Sequence, residues 1–246
     1  MSDPGVEEQL YESLSMRRFA GIDLGRERAP DETTTCKFRH LLERHELGPR
    51  MFDAVAERLE AAGVRIGTGT IVDATIISAP SSTKNQGRAR DPDMRQTKKG
   101  NQWYFGMKAH FGIDSATKLI HSAWATAANV HDATMLPDLL HGGETRVWGD
   151  RAYQGQRAAI RECAPEAKDF TNRRCRFRGV VDEIQRRKNR AKSKVRAKAE
   201  HPIGVIKRVF GFSKVRYRGL AKNGHRLLVT AALANLFTAR RRLLAC

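Results

Sequence analysis

The sequence contains no run of about 18 apolar residues, so nothing in it reads as a membrane-spanning helix. Its first residues, Met1-Ser-Asp-Pro-Gly-Val-Glu-Glu8, are acidic and lack an apolar core, which excludes a secretory signal there. Together these absences set the expectation of a cytoplasmic protein. Cysteine is scarce: Cys36, Cys163, Cys175 and Cys246, no two separated by only two residues. That spacing suits neither a zinc knuckle nor a disulfide framework, and the four read as reduced structural thiols. No Gly-rich loop of the phosphate-cradling kind is present, which leaves a kinase role without support, and no internal repeat is visible. His110, His121 and His131 lack the two-histidine spacing of a helical metal motif and read as core or surface side chains. Asp132, next to His131 at an expected helix start, reads as an N-cap.

What the chain has in excess is positive charge. Net charge is +18 over 246 residues, and it is unevenly spread. Residues 1–150 hold 19 Lys+Arg against 21 Asp+Glu, a net −2; residues 151–246 hold 26 against 6, a net +20. Such asymmetry suits a surface that meets a polyanion. DNA or RNA is the leading partner, and no membrane is expected, because no basic amphipathic anchor stands at either terminus.

Residues 5–65 read as helical. Leu10 and Leu14 share one face; Pro30-Asp-Glu-Thr-Thr34 supplies N-cap chemistry before Phe38, Leu41 and Leu42; Phe52, Val55 and Leu59 recur at helical spacing before Gly63. These helices are either a DNA-reading pair or a packing subdomain. Residues 67–80, Gly67-Thr-Gly-Thr-Ile-Val-Asp73-Ala-Thr-Ile-Ile-Ser-Ala-Pro80, read as a strand buried on both faces, with a carboxylate in its middle. Asp73 therefore has a cationic partner, faces a cleft, or ends a strand in solvent. Residues 81–102 hold almost no apolar side chain and read as a long loop, functional or disordered, bearing Lys84, Arg95, Lys98 and Lys99. Residues 103–126 read as one hairpin with Lys108 on its first strand, 132–140 as a short helix, and 146–150 as a strand ending at Asp150. A helix at 156–163 follows, then a basic, largely helical stretch over 173–198 and a final helix over 224–244. Trp103 and Trp148 read as packing residues. The element order argues for an α/β sheet of mixed pairing.

Asp73 and Asp150 could lie side by side, which would suit Mg²⁺ or Mn²⁺ with hard oxygen ligands. A third candidate is Glu200, with Arg196 and Lys207 at i−4 and i+7 on one helical face. The alternative for Glu200 is a surface ion pair. Pro202 is expected to kink or restart the helix there.

At this point the chain resembles the DDE transposases of bacterial insertion sequences, most closely the IS-five family. The resemblance rests on six stretches in order: Ile71 to Asn85, Asp91 to Trp103, Phe105-Gly-Met-Lys-Ala-His110, Ala128-Asn-Val-His-Asp132, Gly149-Asp-Arg-Ala-Tyr-Gln-Gly155 and Glu200-His-Pro-Ile203. Residues 208–223 extend it. It implies an α/β, ribonuclease H-like mixed sheet flanked by helices over 66–246, with a small N-terminal helical subdomain over 1–65 for DNA binding or dimerisation. It implies a catalytic, metal-binding triad of Asp73, Asp150 and Glu200 holding two Mg²⁺ or Mn²⁺ ions. It further implies DNA contacts from Lys84, Arg95, Lys98, Lys99, Lys108, Arg196, Lys207 and Arg208. The partners implied are double-stranded DNA, as terminal inverted repeats and target, and a second copy of the chain on that DNA, in the nucleoid. Arg196, Glu200 and Lys207 fit the family's glutamate signature, whereas Ser193 stands where the family has Tyr. Family members begin well upstream of this text, which implies a shortened copy. Two rivals stay open: a basic DNA-binding protein without catalysis, and a nuclease of the same fold that nicks without joining.

Overall fold

The computed structural model describes residues 2–244, so the reading of Cys246 as a structural thiol lies outside the described residues. Cys36, Cys163 and Cys175 are free thiols. The chain forms two compact units, 1–48 and 49–246.

The first unit holds helices α1 (Asp3–Glu12), α2 (Leu14–Ala20) and α3 (Glu32–Arg44). Leu10 and Leu14, expected on one helical face, fall on two helices, because the chain is split at Ser13, whose hydroxyl caps α2 by accepting from the Met16 amide. Asp31 caps α3 as expected, accepting from the Thr34 amide at 2.6 Å. Arg39 pairs with Asp3 at 2.5 Å, and Glu7 accepts from the Glu32 amide, which fastens α1 to α3. Leu10 and Ala29 are buried, while Leu14, Phe19, Phe38 and Leu41 are exposed.

The second unit contains most of α4 (Leu47–Ala61), whose Phe52 and Leu59 enter hydrophobic clusters of that unit. A boundary expected at 65 thus differs from the compact-unit boundary by one helix, because that helix buries its apolar stripe against the second unit's own residues. The strands are β1 (Gly69–Ser78), β2 (Arg95–Lys99), β3 (Gln102–Asp114), β4 (Ile120–Ala127), β5 (Arg146–Trp148) and β6 (Lys168–Asp169). They form one mixed sheet in the order β2-β3-β1-β5-β6, with β4 also paired to β3. β3 runs antiparallel to β1 and β4, while β5 runs parallel to β1 and β6 parallel to β5. This is the α/β sheet with flanking helices that the sequence implies, and it is compatible with a ribonuclease H-like domain.

Strand alternation divides β1 between two cores. Ile71 and Ile77 enter the larger cluster with Phe111 and Met107 of β3 and the helices near the C-terminus. Val72 enters a second cluster with Leu136, Leu139, Val147 and Tyr153. Asp73 is in register with Phe111 and shares the first face. Asp114 shapes the β3–β4 turn by accepting from the Ala116 and Thr117 amides.

Several elements differ from expectation. Part of the expected 81–102 loop is strand β2, because a backbone ladder needs no apolar pattern. The loop before it is held at Asp91 and Asp93, which accept from the amides of Gly219 and Leu220 at 2.7 and 2.9 Å. The expected helix over 132–140 is two 3₁₀ turns, Asp132–Met135 and Pro137–Leu139, the second opened by its proline. After α5 (Arg157–Cys163), residues 173–182 are not helical: they carry a short hairpin, β7 (Arg176–Phe177) with β8 (Val180–Val181). Trp148 is buried and stacks on Phe170 at 5.5 Å, but Trp103 is 64% exposed, because it lies on the β2–β3 ribbon.

From α6 (Glu183–Arg196) the chain winds on through a 3₁₀ turn, Ala197–Ala199, into α7 (Glu200–Gly204) and a π-helical segment, Val205–Val209. Pro202 does not break this path, because it falls in the first turn of α7, where its missing N–H costs no bond. The last helix, α8 (Leu220–Leu243), packs on β4. Asn235 fixes it there: its side-chain oxygen accepts from the Ile120 amide at 2.8 Å and its nitrogen donates to the Ile120 carbonyl at 2.7 Å, all buried. Asn235→Ala leaves both backbone groups buried without a partner, at about 1–3 kcal/mol each. Urea unfolding is expected to show a lower midpoint at unchanged slope; an unchanged midpoint would show that this pin contributes nothing.

Candidate active site

Asp73, in the middle of a central strand, has its side chain 17% exposed. β5 lies parallel beside β1, pairing Ile71 with Trp148, so Asp150, two residues past Trp148, arrives next to Asp73. Asp150 is oriented by its own chain: its Oδ1 accepts from the Ala152 amide at 2.8 Å, capping the short turn Arg151–Tyr153. The cleft lies beyond the C-terminal end of β5, where α/β sheets commonly bind ligands.

The third wall is the helical path over 183–209. Its switches from α to 3₁₀ to α to π surround Glu200, and such irregular winding commonly marks a functional region. Asp73, Asp150, Glu200, Arg196 and Lys207 all line one cleft of about 800 Å³. Arg196 Nη1 donates to Asp73 Oδ2 at 3.4 Å. The other Asp73 oxygen accepts from the Ala74 amide at 3.0 Å. Burial pushes the Asp73 carboxyl up to about 6, a shift held back by Arg196 and the Ala74 amide and increased by the negative charge of Asp150. Lys207 donates to the Ile76 carbonyl at 3.0 Å, and burial, then the charge of Lys99, lowers its pKa.

The three carboxylates share the cleft without forming a tight cluster. Glu200 is exposed, and the described residues contain a different group of three whose ligand atoms lie within 4.8 Å of one another. The donor set nevertheless suits a hard divalent cation. All three groups are oxygen donors, and Asp73, beside a second carboxylate, is met among the described residues by one ion pair, with Arg196 at 3.4 Å, which leaves room for further positive charge.

The expected DNA contacts divide. Lys98, Lys99, Lys108, Arg196, Lys207 and Arg208 line the cleft; Lys84 and Arg95 do not. Arg95 donates to the carbonyls of Pro92 and Met94 in its own loop. Lys108 is engaged within the protein, donating to the Val130 carbonyl and to Asp132 Oδ1, each at 2.8 Å. Asp132 is accordingly not the cap of its turn. His131 takes that place, its Nδ1 accepting from the Ala133 amide, while Asp132 brings a fourth carboxylate to the cleft wall. Ser193, at the family's Tyr position, accepts from Asn172 Nδ2 at 3.0 Å and ties α6 to the segment after β6.

The β7–β8 hairpin escaped the sequence reading. Arg174 and Arg178 flank the exposed Phe177 ring at 5.6 and 5.4 Å, and the Arg174 amide donates to Gln154 near the Asp150 turn. The alternation of arginine with an aromatic in Arg174-Cys-Arg-Phe-Arg178 was its one available signal.

A family model described as "Transposase DDE domain" matches residues 65–236, and a second, described as "Transposase domain (DUF772)", matches residues 1–41. No solved structure matches the chain. The first match spans well over half of the sequence and contains Asp73, Asp150 and Glu200. It implies a nucleotidyl-transfer enzyme that depends on a divalent metal and acts on DNA. The chain belongs to the DDE transposases.

Proposed function

We propose that this transposase, of the IS-five type, cuts DNA at the ends of an insertion sequence and transfers the freed 3′-hydroxyl into target DNA. The observation that carries this reading is the meeting of Asp73, Asp150 and Glu200, from three separate elements, in one cleft walled by lysine and arginine. Asp73, Asp150 and Glu200 would hold the divalent metal, Mg²⁺ or Mn²⁺, as two ions. When bound, such ions lower the pKa of an attacking hydroxyl and stabilise the leaving oxygen.

The chain's own side chains do the rest. Asp73, with its carboxyl raised by burial, is ready to ionise fully when positive charge arrives. Arg196 holds Asp73 in place and sits where a phosphate oxygen would approach. Lys98 and Lys99 on β2 and Lys207 and Arg208 on the π-helical segment form the opposing cationic wall, and they would grip the backbone on either side of the scissile phosphate. Lys108, already paired with Asp132, would act as a fixed charge in the cleft wall. The basic surface of residues 173–222 would continue the DNA path, with Lys84 and Arg95 contacting it outside the cleft.

Residues 1–65 would contribute DNA binding or dimerisation. The exposed Leu14, Phe19, Phe38 and Leu41 of the first unit support a homodimer on DNA. Nucleoid association would follow from the basic half of the chain.

Asp73→Asn keeps the shape and removes the charge. Nicking of a duplex carrying the element's own ends, with Mg²⁺ present, is expected to fall at least about a hundredfold, equivalent to ~3 kcal/mol of barrier. Nicking at the wild-type rate would remove Asp73 from the mechanism, and metal-independent binding without any nicking by the wild type would favour the non-catalytic rival. DNA affinity itself is expected to fall steeply with salt, log K against log salt having a slope of about −0.9 per phosphate neutralised. Reversing Lys98 and Lys99 to Glu should weaken all sequences about equally and flatten that slope. A salt-independent affinity would contradict the phosphate-binding role.

A further inference from the structure

Outside the cleft, one group of side chains has the chemistry of a second metal centre. His121 lies near the start of β4, far in sequence from His141 and Glu144, which flank the Gly142-Gly143 turn that leads into β5. Their nitrogen and carboxylate oxygen atoms all lie within 4.8 Å of one another. The two rings meet edge to face with centroids 5.0 Å apart. None of the three lines the cleft that holds Asp73.

Glu144 is the telling residue. It has no exposed surface, yet its ion-pair partner is an imidazole, His141 Nε2, 3.4 Å from Oε1. A carboxylate is rarely buried so completely without a strong cation. Its orientation is fixed by three donors: the Thr70 hydroxyl at 3.1 Å and the His141 amide at 2.7 Å to Oε1, and the Gly142 amide at 2.8 Å to Oε2. His121 is fixed as well. Its Nε2 lies 3.1 Å from the Thr70 hydroxyl, beside Glu144, and its Nδ1 lies 3.0 Å from the Ser122 hydroxyl. A ring whose Nδ1 is held by a neighbouring hydroxyl, with Nε2 turned toward the group, has the orientation of a metal-ligating histidine fixed through its other nitrogen by an outer partner. Gly112 makes room for that ring, since a Cβ there would lie 2.6 Å from His121 Cε1.

We propose that His121, His141 and Glu144 bind one first-row divalent ion of the zinc class, closing β4 onto the segment that enters β5. Two imidazoles and one carboxylate leave a fourth position for water. Tetrahedral zinc, with bonds of about 2.1 Å, requires ligand atoms about 3.4 Å apart. The site reaches that by an inward shift of His141, whose side chain is 30% exposed on a turn where Gly142 adopts a positive φ. Binding through His141 Nε2 displaces the proton that faces Glu144 and leaves the ring proton on Nδ1. The contact from the Gly143 amide to Nδ1, at 3.2 Å, must then open. The ion would serve structure, because the segment it fastens leads through β5 to Asp150.

The test uses the full chain without a histidine tag, stripped with a chelator and titrated with Zn²⁺ against a chromophoric competitor, with thermal unfolding alongside. One ion per chain is expected that survives in Asp73→Asn, in which the cleft is disabled, with a raised unfolding temperature, and Co²⁺ should give that variant the intense visible bands of a four-coordinate site. His141→Ala, at an exposed position, should weaken binding at least tenfold and abolish the thermal shift. Glu144→Gln, which keeps the shape, should do the same. Asp73→Asn should leave zinc binding intact. No binding by the wild type, wild-type affinity in His141→Ala, or loss of binding in Asp73→Asn with retention in His141→Ala would each overturn the assignment.

Discussion

A negative charge held inside a sheet is the constraint on which the rest of this structure depends. Asp73 occupies the middle of β1, between core residues Ile71 and Ile77 on the same face, and its carboxyl is raised to about 6 by burial. A group in that position must be offset by positive charge. The structure supplies it from a distance in sequence: Arg196 comes from the end of α6, and Lys99 from the end of β2. The parallel pairing of β5 with β1 adds to the demand, since it delivers Asp150 to the same place. The cleft is therefore electrostatically unfinished, with two acidic groups close together and lysines and arginines around them. That is the setting a divalent ion and a phosphodiester would complete.

The helical wall shows how the fold places a third acidic group without burying it. Between Arg196 and Lys207 the chain passes through four windings, and Pro202 is accommodated in the first turn of α7. Glu200 stays exposed while its neighbours Ala199 and Ile206 are buried. Irregular winding of this kind often marks a functional segment. Fastening is done elsewhere, by Asn235 across the Ile120 backbone and by Asp91 and Asp93 at the start of α8.

Much of this was legible in the sequence, for definite physical reasons. The β-branched run around Asp73 fixed β1, and the spacing of Arg196, Glu200 and Lys207 fixed one lined wall. What stayed hidden had no local signal. β2 is polar on both faces, because its ladder bonds come from the backbone, so Arg95 to Lys99 read as loop. Asp132 looked like a cap, because its partner Lys108 lies far away in sequence, on β3. Trp103 looked like a core residue, because exposure cannot be read from residue type. His121 carried no motif on its own, since His141 and Glu144 meet it only through the packing of β4 against the turn before β5.

The central claim is that Asp73 belongs to a metal centre rather than to a structural ion pair with Arg196. Titration with Mn²⁺, followed by the loss of the free-ion electron paramagnetic signal, separates the two directly in the absence of DNA or turnover. The account predicts saturable binding by the wild type that is lost in Asp73→Asn, with the variant's far-ultraviolet circular dichroism unchanged. Unaltered Mn²⁺ binding by a folded Asp73→Asn protein would contradict it.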